Sequence, residues 1–139
     1  MGDAFENGLE QRLQEGKMVQ FTPQGISMLP FINGGEDRVL VRKEGKVDVG
    51  DIVLVNYRNT YILHRIYAIE GTTLVLMGDG NLEGNERVEA SGVLGTVVGV
   101  VSRQGRCRKP GKAWLWRHSL PLRKYLLKLD RKWKKITKK

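Results

Sequence analysis

The chain has 139 residues, 40% of them apolar and 28% charged, with a formal net charge of +9. This length suits one domain around one core, and the composition fits neither a disordered chain nor a membrane bundle. No run of about 18 uncharged apolar residues occurs, which excludes a spanning helix. The acidic start Met1-Gly2-Asp3-Ala4-Phe5-Glu6 lacks the apolar stretch of a secretory signal, so a cytoplasmic or peripheral-membrane location is expected. A single cysteine, Cys107, precludes an internal disulfide and fits a reducing compartment.

The charge is unevenly placed. Residues 103–139 hold fifteen lysines and arginines against one acid, Asp130, a net +14. The other 102 residues hold nine basic and fourteen acidic side chains, a net −5. Three segments follow: 1–17, an N-terminal helical segment; 18–102, a β domain; and 103–139, a basic, partly helical tail.

In the first segment Phe5, Leu9 and Leu13 recur at helical spacing, with Asp3 placed to cap the start and Gly16 to end it. That narrow apolar face predicts a helix lying on the body. From Met18 to Val101 the period changes to two, or to short apolar runs between turn residues. Strands are predicted at Met18–Thr22, Arg38–Arg42, Ile52–Tyr57, Thr60–Ile66, Thr73–Met77 and Val93–Val101, with Arg58-Asn59 as a hairpin connection and Gly78–Asn85 as a Gly- and Asn-rich loop. Short strands without intervening helices imply a mainly β fold, a small curled antiparallel sheet or barrel. In the tail, Leu122, Leu126, Leu129, Trp133 and Ile136 form an apolar seam, with Lys124, Lys128, Arg131, Lys132 and Lys135 around it. This pattern predicts a basic amphipathic C-terminal helix.

The densest chemical signal is Gly25-Ile26-Ser27-Met28-Leu29-Pro30. By itself, a serine between glycine and proline is ordinary turn chemistry. Three later features accompany it: the strand start Gly50-Asp51-Ile52-Val53, the segment Leu63-His64-Arg65-Ile66, and Gly78-Asp79-Gly80-Asn81. Alternation places His64 on a face with Ile62 and Ile66, and Tyr61, Leu63 and Arg65 on the other. A lone histidine on an apolar face is commonly a packed core residue. With His64 and His118 the only histidines, and no acids at ligand spacing, no metal site is expected, nor any cofactor.

As an ordered set, these motifs resemble the LexA/signal-peptidase superfamily of serine peptidases, over roughly Val19 to Val101. The Gly-x-Ser-Met-x-Pro motif, the Gly-Asp-x-Val strand and the base-bearing strand fall in the same order. No lysine lies between Asp51 and Arg103, and the base position holds His64. The sequence is therefore most similar to the histidine-type (endoplasmic-reticulum-type) signal peptidases. The resemblance implies Ser27 as nucleophile, its backbone N–H as an oxyanion donor and His64 as general base. Glu86 is the first choice, and Asp79 the second, for the acid behind His64. Glu86 departs from the family's Asp and lies one residue later. Gly25 replaces a serine that many bacterial relatives use in the oxyanion hole, which leaves it a conformational role. Met28, Leu29 and Pro30 line the substrate cleft or anchor the turn. Relatives prefer small residues before the scissile bond, bound in extended form beside a sheet edge.

The expected function is serine endopeptidase, acting on a peptide or protein by a Ser-His dyad or triad. Two other readings stand beside it: a LexA-like self-cleaving regulatory module, and a non-enzymatic binding protein on the same fold. Signal peptidases are normally held by a spanning helix, which this sequence lacks. The tail's lysines and tryptophans suit an anionic membrane surface. Equally, its seam could pack on the body, join another chain, or, less expectedly, leave the charge for nucleic acid.

Overall fold

The computed structural model describes residues 3–24, 28, 31–79 and 85–112, with side chains from Gly8 onward. The expected C-terminal helix lies outside these residues. Helix α1 spans Asp3–Gln14. It ends in a Schellman closure at Gly16 (φ 80°), where Gly16 N–H donates to Leu13 O and Lys17 N–H to Arg12 O. Leu9 and Leu13, one turn apart, are 2% and 1% exposed. Each contributes about 1.5–3 kcal/mol by that burial.

Eight strands follow: β1 (Val19–Phe21), β2 (Arg38–Arg42), β3 (Ile52–Tyr57), β4 (Thr60–Glu70), β5 (Thr73–Met77), β6 (Glu86–Glu89), β7 (Val93–Val101) and β8 (Cys107–Arg108). They form one antiparallel sheet in the order β1-β2-β7-β3-β4-β5-β6, with β8 pairing β7. The sheet is open, not the closed barrel admitted by the sequence pattern. The terminal strands β1 and β6 do not pair with each other. β4 is longer than its apolar alternation predicts, because it serves two partners. Residues 60–65 pair with β3, and residues 65–70 pair with β5 across a bulge between Ile66 and Ala68.

Two strands escaped the sequence pattern. Glu-Arg-Val-Glu in β6 holds one apolar residue and reads as a polar loop, yet it completes the β5 edge through four paired positions. β8 lies within the basic segment, and the turn at Gly105 (φ 87°) folds it back on Val100 and Val101. The β3–β4 connection is a two-residue turn with Arg58 and Asn59 both at positive φ, 51° and 63°. That is the type I′ geometry, which matches the strands' twist.

Both faces of the sheet are covered. On one, α1 and the segment around Met28 and Ile32 pack on Val39, Val41, Ile52, Leu54, Leu63 and Val97. On the other, the curled sheet closes over Val53, Val55, Ile66, Leu74 and Leu76. The unbroken run Ile52-Val53-Leu54-Val55 is explained by this: alternate residues enter different cores.

Helix α1 reaches the sheet at Gly95. A Cβ there would lie 2.6 Å from Val41 Cγ1 and 3.2 Å from Leu13 Cδ2. Gly95→Ala is expected to cost about 1–3 kcal/mol by overpacking. Gly92→Ala, whose Cβ meets nothing within 4 Å, should change stability by less than about 0.5 kcal/mol. Urea denaturation of both variants checks the contrast.

Candidate active site

The site is built on β4, where two successive polar residues point to opposite faces. His64 lies opposite Val53, and Arg65 lies opposite Ile52 and Met77. Val53 and Ile66 belong to the second core, while Ile52 and Leu63 belong to the first. The faces thus follow the alternation expected from sequence.

His64 is 7% exposed. Its Nδ1 meets the carboxylate oxygen Oε1 of Glu86, on β6. The sheet register makes this contact: Ile66, Leu76 and Glu86 form a row across β4, β5 and β6. His64 stands two residues along β4 from Ile66, on the same face. With Glu86 ionised, the neutral imidazole carries its proton on Nδ1, and the lone pair is on Nε2. Among the described residues, Nε2 meets no hydrogen-bond partner. A carboxylate at one ring nitrogen and a lone pair on the other form the arrangement of a positioned general base.

The second acid, Asp79, does other work. It is fully buried, and Arg65 Nε donates to its Oδ1 and Oδ2 at 2.8 and 2.9 Å. Arg65 Nη2 adds a further bond to Oδ2 at 2.8 Å. The remaining guanidinium nitrogen, Nη1, donates to Gly50 O and Gly111 O, both at 2.8 Å. The guanidinium lies 5.1 Å from the Phe31 ring centre, and the Tyr67 hydroxyl reaches Asp79 Oδ1 at 3.3 Å. The Asp79 N–H donates to Met28 Sδ at 3.4 Å. Asp79, the alternative candidate for the carboxylate behind His64, is therefore the counter-ion of Arg65. Its backbone also holds the residue that follows Ser27.

Sequence reasoning did not single out Arg65. A signal was present, since alternation placed this arginine on a face with Tyr61 and Leu63. A charge so placed needs a counter-ion. The root of the basic segment is tied to the same region. Gly111 O accepts from Arg65, and Arg108 Nη2 donates to Phe31 O at 2.6 Å. Gly50 (φ 97°) permits this crossing, because a Cβ on it would lie 2.6 Å from Lys112 Cβ.

Beside His64 a cleft of about 340 Å³ opens. Its walls are Leu9 of α1, Phe21 and the following Thr22-Pro23-Gln24, Met28, Ile32 and Gly34, Leu54 of β3, and Tyr61 to His64 of β4. Met28, read from the sequence as lining a substrate cleft or anchoring the turn, is buried in the first core and borders this cleft. Gly25, Ser27, Leu29 and Pro30 lie outside the described residues, as do Lys124, Lys128, Arg131, Lys132, Trp133 and Lys135 of the tail. Among the described residues no group of three or more His, Cys, Asp or Glu side chains could hold a metal ion. No described helix is long and apolar enough to cross a membrane. No protein-family model matches the chain, and no curated protein matches it in sequence.

Removing one partner of a fully buried ion pair strands the other without solvation. Asp79→Asn is expected to destabilise the fold by about 3–5 kcal/mol. Glu86→Gln, at a partly exposed strand position, should cost less than half of that. Denaturant midpoints of the two variants test the ranking.

Proposed function

We propose that the chain is a serine endopeptidase of the LexA/signal-peptidase type, in which Ser27, His64 and Glu86 act in sequence. The observation that carries this reading is the Glu86 carboxylate on His64 Nδ1, which leaves Nε2 for a proton donor, and His64 is among the residues that border the cleft. Met28, bonded to Ser27 in the chain, lines the same cleft, which supports Ser27 as that donor. The open antiparallel sheet with its base on an inner strand is compatible with the fold that the resemblance implies.

In this mechanism His64 Nε2 takes the Ser27 hydroxyl proton as the oxygen attacks the peptide carbonyl carbon. The Ser27 backbone N–H donates to the oxyanion of the tetrahedral intermediate. Collapse breaks the C–N bond, and His64 returns the proton to the leaving amine. A water then gives its proton to His64 and attacks the acyl ester, and Ser27 regains its proton as the acid leaves. Glu86 fixes the tautomer and stabilises the transient imidazolium. Asp79 and Arg65 are positioning residues that hold Met28 and β4.

The basic segment is proposed to attach the enzyme to an anionic membrane surface. Its described root already presents Arg103, Arg106, Lys109 and Lys112 to solvent, continuing the charge of the tail. Truncation after Lys112 should abolish sedimentation with phosphatidylserine vesicles and leave binding to neutral vesicles unchanged.

Ser27→Ala and His64→Ala are each expected to lower peptide cleavage by at least about 10³-fold with the far-ultraviolet dichroism preserved. Glu86→Gln should lower kcat by about 10²- to 10⁴-fold with little effect on KM. A fluorophosphonate probe should label the full chain and fail to label Ser27→Ala. Cleavage that survives in Ser27→Ala would refute the mechanism.

A further inference from the structure

The root of the basic segment is built into the frame of the site. β3 pairs with β7 only as far as Thr96, and beyond it β8 pairs with Val100 and Val101 on the same side. The turn before β8 is closed by Ser102. Its N–H donates to Arg106 O at 2.9 Å, and its Oγ accepts the Arg106 N–H at 3.1 Å. Arg108, the last residue of β8, therefore projects from a base fixed to the sheet.

Its side chain reaches the segment that follows Met28. Arg108 Nη2 donates to Phe31 O at 2.6 Å and to Asp37 Oδ2 at 3.4 Å. The same carboxylate oxygen accepts the Asn33 N–H at 2.9 Å, and the Asp37 N–H donates to Asn33 O at 2.9 Å. One guanidinium nitrogen thus spans both ends of the turn 31–37. The start of that turn leads back to the site. The N–H groups of Phe31 and Ile32 donate to Met28 O at 3.0 and 2.9 Å, and Met28 Sδ accepts the Asp79 N–H. Three residues beyond Arg108, Gly111 O accepts from Arg65 Nη1, and the Arg65 guanidinium faces the Phe31 ring. Pro110, between them, restricts the backbone of this short strap. Residues 108–111 therefore grip the turn after Ser27 at one end and β4, directly after His64, at the other.

We infer that Arg108 is a positioning residue, whose hold on Phe31 O and Asp37 fixes the segment following Ser27 at its distance from His64. A cationic donor suits this task, because its hydrogen bonds are roughly twice as strong as neutral ones. Displacing a reacting group by about 1 Å costs on the order of 10²-fold in rate. The catalytic consequence rests on the peptidase reading above, but the grip on the turn is measurable without catalysis. In the sequence Arg108 is one of fifteen cations in residues 103–139. Its tertiary contacts give it a task apart from theirs, since it faces the body and not a membrane surface.

The test uses the full chain and three variants: Arg108→Ala, Arg108→Lys and Arg42→Ala. The last removes an equal charge from an exposed pair with Glu44. In the first arm, amide hydrogen exchange is followed residue by residue by NMR. In Arg108→Ala the amides of Phe31, Ile32, Asn33 and Asp37 should exchange about tenfold or more faster, while those of β4 and β5 keep their rates. Exchange that is unchanged at the turn, or that rises equally in the sheet, would overturn the proposal. In the second arm, peptide cleavage and fluorophosphonate labelling are measured in solution without vesicles. Arg108→Ala should lower kcat and the labelling rate by about 10- to 10²-fold with KM little changed. Arg108→Lys keeps a cationic donor and should recover part of that loss. A loss shared equally by Arg42→Ala, or one that falls on KM alone, would refute the positioning role. If the unaltered chain neither cuts peptides nor takes the probe, the peptidase reading fails, while the exchange rates still decide whether Arg108 holds the turn.

Discussion

The fold is organised around a buried charge. Arg65 and Asp79 are both fully inaccessible, and taking a guanidinium and a carboxylate from water costs several kcal/mol per ion. That cost is offset only when geometry is good and the remaining donors are satisfied. Here both carboxylate oxygens face the guanidinium, two backbone carbonyls take Nη1, and an aromatic face lies alongside. Each partner comes from a different part of the chain: the Gly50 turn, the end of β5, the Phe31 segment and the root of the basic segment. The ion pair therefore joins pieces that sheet pairing alone leaves apart.

This constraint reaches the imidazole because Arg65 follows His64 directly. A slip of one residue in β4 would carry the imidazole into the place of Arg65, against Asp79, and the guanidinium into the place of Ile66, in the core with Val53 and Leu76. The Arg65 anchor thus specifies the register that presents His64 to Glu86. The bulge after Ile66 lets β4 leave β3 and pair with β5, and β5 in turn carries β6 and Glu86 into place. A strand that pairs with one partner over its first half and another over its second also leaves an edge beside Leu63, where the cleft opens.

The two cores have different tasks. The second, formed within the curled sheet, is strand against strand and backs the His64 face. The first is capped by a single short helix and by the segment that follows Ser27. A cap made of one helix face and one loop fills its space less completely than a second sheet would. The cleft lies at this junction, among Leu9, Met28 and Leu63. Packing and site are consequences of the same arrangement.

Much of this was legible in the residues themselves. Period-two alternation and short apolar runs between turn residues marked β2, β3, β5 and β7 at their observed bounds, and helical spacing with Gly16 marked the end of α1. The alternation also assigned His64 and Arg65 to opposite faces. Each of these depends on local backbone geometry and on which side chains avoid water, and a short window of sequence carries both. β6 was not legible, because a polar edge strand is stabilised by its neighbour's hydrogen bonds and not by its own apolar content. Nor could spacing choose between Asp79 and Glu86, 14 residues after Arg65 and 22 after His64 respectively. Which carboxylate meets which of these two side chains depends on strand register and on the curl of an open sheet. Those are sums of contacts between distant segments, and only the tertiary structure decided them.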